Sequence, residues 1–399
     1  METVDFVVVG CGPAGATAAR EAAAAGIETV VLEKDAVVGA KRVCAAGLRP
    51  GFCETFDLPR QLVHCDTPRL ALFDDAGKEY EVPFGPGHTT TREELDGTMG
   101  TLAAKAGADV RTQSLFRSIE REGAQAVVEY ADLKAGKRRR VRARNVFLAS
   151  GATVRAPEGL AFGQWESGLM TTLQYRVYLQ RPAAAIAYRT LELHYYRTRD
   201  GRQIVAWMFP KRDHLAIGLG VLGKMPGREL RDELTAFEAR VRARLYPSIE
   251  ITAIKEEGHL LYGGWPRPSL SRDNVMIGGT AAGLVDATNG EGIYEAAMSG
   301  RIAAAYVAAE RARPRTAAAR YAREVAGRFS RRLSHRVKLM RFLERVPMRY
   351  GVLFEQLVST PRFADLLQKE DCERTMGDRI YLYGQALRFA VRAAGFAGR

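Results

Sequence analysis

The chain has 399 residues, 47% of them apolar, with 59 Lys and Arg against 46 Asp and Glu for a formal net charge of +13. That size supports more than one core, no apolar run reaches the roughly 18–20 residues that span a bilayer, and no basic segment precedes an apolar one at the N-terminus, so the expected location is cytoplasmic without a signal peptide. Five cysteines (Cys11, Cys44, Cys53, Cys65, Cys372) without a CxxC pair argue against a disulfide framework or a structural zinc site.

Asp5 to Val9 is a short buried-strand pattern, followed at once by Gly10-Cys11-Gly12-Pro13-Ala14-Gly15. An Ala-rich helix follows from Ala16 to Ala25 and stops at Gly26; a second strand, Thr29 to Leu32, ends at Glu33. Each part has a physical task in a dinucleotide site. Gly10 permits the tight turn, Gly12 lets backbone approach a pyrophosphate, and Gly15 lets helix and strand pack closely. The helix start, with Pro13 and Ala14, presents N–H groups to phosphates, and Glu33 accepts bonds from ribose hydroxyls.

Leu70–Phe73 and Tyr80–Val82 flank a turn signal and predict a hairpin. Thr91 and Glu94 stand at capping-box spacing and open a helix through Ala106. Ala124–Tyr130 and Arg138–Arg142 predict another hairpin, with the Lys137–Arg140 run as its solvated turn, and Asn145–Ala149 is a strand ending at Ser150-Gly151. From Leu169 to Val221 the alternation predicts an antiparallel sheet inserted into the nucleotide domain. The GxGxxG pattern recurs at Gly218–Gly223, but Pro226 and Gly227 interrupt it and Glu238 lies inside a helical pattern, so it reads as strand and turn. One dinucleotide fold without a second favours FAD as the bound cofactor.

Beyond Gly300 the pattern is helical, and residues 301–399 carry 21 Lys and Arg against 9 Asp and Glu. Arg328, Arg331, Arg332, Arg336, Lys338 and Arg341 interleave with Phe329, Leu333, Val337, Leu339, Met340, Phe342 and Leu343. This amphipathic stripe predicts either a rest on anionic lipid, peripheral at the inner membrane, or packing on the nucleotide domain with its charges in water. No nucleic-acid module is present in the pattern, so no nucleic-acid partner is expected.

Trp207-Met208-Phe209-Pro210, seven residues and then Gly218-Leu219-Gly220 resemble the WxFP-x7-GxG signature of the geranylgeranyl reductase family. Asn274–Gly283 with Asn289–Tyr294 resembles that family's second FAD segment, and Lys41–Gly47 (KRVCAAG) its Cys-containing loop. The resemblance implies an α/β plus β fold like p-hydroxybenzoate hydroxylase. Its Rossmann-type FAD domain would comprise residues 1–65, 90–165 and 268–310, its antiparallel-sheet substrate domain 66–89 and 166–267, and its C-terminal helical region 311–399. It also implies reduction of isoprenoid C=C bonds on a prenylated small molecule or lipid, with electrons from an external donor, NADPH or ferredoxin-type. The implied FAD contacts extend to Lys34, Cys44, Ala45, Arg92, Ser150, Gly151, Gly279, Thr280, Gly290, Gly292 and Ile293. Cys44, Trp207 and Phe209 take catalytic positions, the two aromatics lining a prenyl slot and Cys44 gating it or giving a proton. Thr280 stands where the family has Asp, and Ser150 where it has Asp. Those departures keep a non-catalytic FAD or lipid-binding member among the readings, beside a flavin monooxygenase of the same fold.

Overall fold

The computed structural model describes residues 1–40, 44–82, 87–152, 162, 169–222, 225–262, 264–345 and 350–397. Lys41, Arg42 and Val43 of the Cys-containing loop, and Gly223 of the second glycine pattern, lie outside them.

The first strand, Glu2–Val9, has Phe6, Val7 and Val8 fully buried, the pattern of a strand covered on both faces. It pairs in parallel with Thr29–Leu32 on one side and Lys137–Leu148 on the other. Asp109–Arg111 extends the sheet beyond the former and Val275–Ile277 beyond the latter, both in parallel. Helix Pro13–Ala24 packs against helix Ile293–Ala309 with almost no side chain between them: a Cβ on Gly300 would stand 2.1 Å from the Ala14 carbonyl oxygen.

Lys137–Leu148 corrects the sequence reading. The predicted turn and two separate strands are one 12-residue strand, antiparallel to Gln125–Asp132 and parallel to Glu2–Val9. Acids on the next two strands, Gln125–Asp132 and Ser114–Glu122, hold the basic run in the ladder: Arg139 meets Asp132 at 2.7 Å, Arg140 meets Glu120 at 2.5 Å and Arg142 meets Glu122 at 2.5 Å. Cross-strand pairs of opposite charge favour the strand over the turn. The predicted cap of helix Arg92–Lys105 holds in one half. Thr91 Oγ1 accepts the Glu94 N–H at 3.4 Å, while the Glu94 carboxylate turns to His64 and Arg212 instead of back to the cap.

The second large sheet runs, among the described residues, in the order Ile251–Tyr262, Leu169–Leu179, His214–Leu222, Gln203–Pro210, Thr190–Arg197, Arg69–Phe73 and Glu79–Val82. It departs from the expected antiparallel pattern at one junction, where Arg69–Phe73 lies parallel to Thr190–Arg197. The two strands are joined by a long excursion through the first domain, so a hairpin does not dictate their direction. Helix Gly227–Leu245 covers one face through Leu230, Leu234, Phe237 and Val241. Strand periodicity divides Gln203–Pro210 between the faces: Ile204, Ala206 and Met208 join that helix-covered core, and Val205, Trp207 and Phe209 point the other way. A small sheet of Gly47–Leu48, Cys65–Thr67 and Gly87–Thr89 sits at the junction, where Thr89 Oγ1 donates to the Pro210 carbonyl at 2.6 Å.

The C-terminal stripe is buried. Phe329 and Leu333 enter the core of the nucleotide domain, and Val337, Met340 and Leu343 pack on the second sheet's free face. Of the two environments expected for this stripe, packing against protein is the one observed, and the lipid-facing alternative falls away because the apolar side already has a protein partner. Among the described residues no helix is long and apolar enough to cross a membrane.

The close helix crossing yields a stability prediction. Gly300→Ala places a methyl inside contact distance of backbone that cannot swing aside, and should cost about 1–3 kcal/mol in urea unfolding. An unchanged midpoint would mean that the two helices separate freely.

Candidate functional site

The carboxyl ends of the parallel strands open on a cavity of about 840 Å³ whose lining continues onto the free face of the second sheet and the C-terminal helices. In open α/β sheets this is where ligands bind. Of the residues the sequence marks, Gly10, Gly12, Pro13, Ala14, Glu33, Lys34, Cys44, Ala45, Arg92, Ser150, Gly151, Gly279, Thr280, Gly290, Gly292 and Ile293 line this cavity, as do Trp207 and Phe209. Gly15 lies beneath it, where a Cβ would stand 1.9 Å from the Gly10 carbonyl oxygen.

The glycines have distinguishable reasons. Gly10 has φ +93° and a Cβ there would meet the Ala149 carbonyl oxygen at 2.6 Å, so the turn itself demands glycine. A Cβ on Gly12 would meet nothing closer than 3.5 Å, the Arg92 Nη2 atom. The protein's own packing does not require glycine at position 12, which leaves open space beside the helix start. Helices Pro13–Ala24 and Ile293–Ala309 both start at this cavity with no side-chain cap, so two sets of first-turn N–H groups face the same volume. Glu33 Oε2 accepts the Cys11 N–H at 2.8 Å and Oε1 the Asp35 N–H at 2.9 Å, and each oxygen keeps a lone pair for a hydroxyl. Arg92 lies beside the Gly12 gap, fixed by Asp96 through Nε–H donation at 2.8 Å and Nη2 donation at 2.5 Å. These features fit FAD: a glycine cradle, uncapped helix starts for a diphosphate and an acid for a ribose. Burial, then Glu33 and Asp96, push the Cys11 thiol up to about 12, so it remains an inert wall.

Behind the Gly290–Gly292 turn lies a charge network that the sequence reading missed. Arg49 donates to Glu291 and, at 2.5 Å, to Glu295; Arg332 reaches the same Glu295 oxygen at 2.5 Å; Arg336 meets Asp286 at 3.1 Å. Burial alone would raise the carboxyls of Asp286 and Glu295. Arg336 and Arg332 around the first, and Arg49 and Arg332 around the second, overcome it and hold both below the usual value. That contribution to stability is complete above the ordinary carboxylate range and is lost as pH falls through the lowered values. Separations of 242 and 37 residues between partners left no local signal.

The aromatic end explains the signature spacing. Trp207 and Gly218 are cross-strand partners, and a Cβ on Gly218 would stand 2.3 Å from the indole Cζ2. The indole Nε1–H donates to Gln174 Oε1 at 3.0 Å. A Cβ on Gly47 would meet the Phe209 ring at 2.7 Å, so this ring lies directly on the loop after Cys44. Lys211, also missed, is 1% exposed. Its Nζ donates to the Ala45 carbonyl and, at 3.4 Å, to that of Ala46, clamping the Cys44 loop to the signature strand. Burial pushes its pKa down to about 7. A lysine directly after the signature Pro210 was the available clue. Cys44 Sγ accepts the Ala46 N–H at 3.3 Å and is half-buried.

Residues 5–87 match the model of a family described as FAD dependent oxidoreductase. The chain is 27% identical to a geranylgeranyl diphosphate reductase of Rhodobacter capsulatus over 75% of this chain and 74% of that one. It is 30% identical to digeranylgeranylglycerophospholipid reductase 2 of Methanothermobacter thermautotrophicus over 75% of this chain and 76% of that one. A crystal structure of a geranylgeranyl bacteriochlorophyll reductase-like protein from Thermoplasma acidophilum superposes with a TM-score of 0.74, at 22% identity, over 96% of each chain. Fold, cradle and family match define an FAD-dependent oxidoreductase. Within that class, the chain belongs to the geranylgeranyl reductase family.

Two outcomes test the site. Gly12→Val should fold but purify without flavin absorbance, at about 1–3 kcal/mol or less in stability; stoichiometric FAD in that variant would place the cofactor elsewhere. Lys211 binds its proton less tightly when folded, so between pH of about 7 and 10.5 the unfolded chain holds the extra proton and stability rises with pH. The rise should reach at most about 1.4 kcal/mol per pH unit in urea titrations and should vanish in Lys211→Met.

Proposed function

We propose that this chain reduces isoprenoid C=C bonds, taking a prenyl chain attached to a lipid, tetrapyrrole or quinone headgroup. The observation that carries the reading is the apolar arm of the cavity. Leu193, Val205, Trp207, Leu339, Phe354 and Leu357 line it, and it leads away from the glycine cradle. Such a slot suits a flexible hydrocarbon with no polar group to satisfy along its length. The names of the two reductase relatives support the same substrate class.

When bound, reduced FAD supplies the hydride, which no side chain can give. The chain's own contributions are positional and electrostatic. Gly12, the first turn of Pro13–Ala24 and Arg92 hold the diphosphate, and Glu33 the ribose. Thr280 keeps a hydroxyl donor where the family's Asp would stand, and Ser150 does the same at the end of Lys137–Leu148. The uncapped start of Ile293–Ala309, buttressed by Glu291 and Glu295, presents N–H groups to negative charge. Trp207, fixed by Gln174 and seated over Gly218, orients the alkene, and Phe209 closes the wall against Gly47. Cys44 stands at the cavity edge with a thiol proton to give to the second carbon. The GLGVLG pattern lies in strand His214–Leu222 up to its last described residue, so a separate donor such as NADPH or a ferredoxin-type protein must bring electrons from outside this nucleotide fold.

The test incubates dithionite-reduced protein with geranylgeranyl lipids and tetrapyrrole esters in detergent. Mass spectrometry should show products gaining two hydrogens per bond. Oxygen-dependent hydroxylation instead would assign a monooxygenase. In the same assay Gly218→Ala, which displaces the indole, should lower kcat/KM by about tenfold or more while FAD stays bound, and Trp207→Ala should do likewise. Parallel loss of FAD in both would place Trp207 in the structural core alone.

A further inference from the structure

The last helix, Met376–Ala397, carries an apolar face that no described residue covers. Met376, Ile380, Tyr383, Leu387 and Val391 are between 62% and 68% exposed. At helical spacing the five fall within an arc of about 80°. The opposite side holds the helix in place: Phe389 packs on Phe342 with ring centroids 6.1 Å apart, and Gln385 Oε1 accepts from Gln356 at 2.8 Å. The stripe is therefore turned outward by a buried inner face.

Its surroundings are cationic. Arg388 and Arg392 are exposed on the same helix. The Tyr383 ring lies 6.1 Å from the His335 ring, and His335 shares its helix face with exposed Arg331 and Lys338. Among the described residues, Arg331, Lys338, Arg388 and Arg392 form no ion pair with an acid. By contrast, Arg138, Arg139, Arg140 and Arg142 on the first domain's surface each do. The helical layer beneath the stripe is also the wall of the cavity's apolar arm: Leu353 and Leu357 of Tyr350–Ser359, and Phe363 and Leu367 of Pro361–Gln368, line it.

We propose that the exposed stripe of Met376–Ala397 rests on an anionic lipid bilayer, its apolar residues among the acyl chains and its unpaired cations at headgroup level. Five large apolar side chains on one face, with Arg388 beside them and Arg331 and Lys338 on the neighbouring helix, are what an interfacial helix requires. A second copy of the chain fits less well, since a self-complementary contact would bring the two unpaired basic rims together. The placement rests on the prenyl-substrate reading for its purpose: a membrane-dissolved chain would enter through the helical layer that separates stripe from cavity.

The holoprotein is sedimented with vesicles of phosphatidylcholine alone and of phosphatidylcholine with phosphatidylglycerol. Binding should require the anionic lipid and fade with added salt. Ile380→Ser/Leu387→Ser, and separately Arg388→Gln/Arg392→Gln, should each weaken it by about tenfold or more. Both variants should keep full FAD and the wild-type rate on a detergent-dissolved prenyl substrate. Equal binding to neutral vesicles, no binding at all, or a lipid-free dimer that Ile380→Ser/Leu387→Ser dissolves would each overturn the proposal. Intact anionic-vesicle binding without reduction of any prenyl substrate would instead overturn the reductase reading and leave the surface standing.

Discussion

The buried exchange of charge among Arg49, Asp286, Glu291, Glu295, Arg332 and Arg336 holds the rest of the site in register. Three guanidinium groups meet three carboxylates, two of the carboxylates from the turn and helix that begin at Gly290 and two of the arginines from helix Arg331–Arg345. Charges removed from water are expensive unless each is matched, so the network tolerates one arrangement of its three segments. That arrangement aims the start of Ile293–Ala309 at the cofactor volume and seats Arg331–Arg345 across the second sheet. Removing any single partner would leave an uncompensated buried charge, which is costlier than removing the whole set. The network thus acts more as a gauge of position than as a source of net stability.

Once those segments are fixed, the cavity follows. The parallel sheet contributes its carboxyl ends, the second sheet one bare face, and the C-terminal helices the remaining wall. The signature residues divide the labour by alternation: every second residue of Gln203–Pro210 supports the helix-covered core, and the others present Val205, Trp207 and Phe209 to the cavity. Glycines across the gap, Gly218 under Trp207 and Gly47 under Phe209, make room for rings that no larger residue would admit. Lys211 then ties the Cys44 loop to that strand, joining the two ends of the cavity through two backbone carbonyls.

The helical C-terminal region shows how an amphipathic pattern leaves its environment open. The stripe from Phe329 to Leu343 is amphipathic in sequence, which suits either a lipid surface or packing on the nucleotide domain. In the fold its apolar side meets two cores, and Arg332 and Arg336 meet buried acids rather than water. Among the described residues, the helix whose apolar face remains open is the last one, where three arginines and one aspartate are its charged residues.

The sequence by itself determined what is local. The strand, glycine turn, helix, strand and acid from Asp5 to Glu33 follow from steric and hydrogen-bonding rules that act within about 30 residues, and the same holds for the hairpin at Leu70–Val82 and the Thr91 cap. The spacing from Trp207 to Gly218 was legible too, because it is the register of a single hairpin. Only the tertiary structure decided that Lys137–Leu148 is one strand, since the acids that hold its arginines in the ladder stand on two other strands. It alone decided that Arg49, Glu295 and Arg332 meet, that Lys211 clamps the Cys44 loop, and which helix face stays bare. Each of these is a contact between segments far apart in the chain, and a charge or an apolar stripe carries no record of its partner until folding brings the two together.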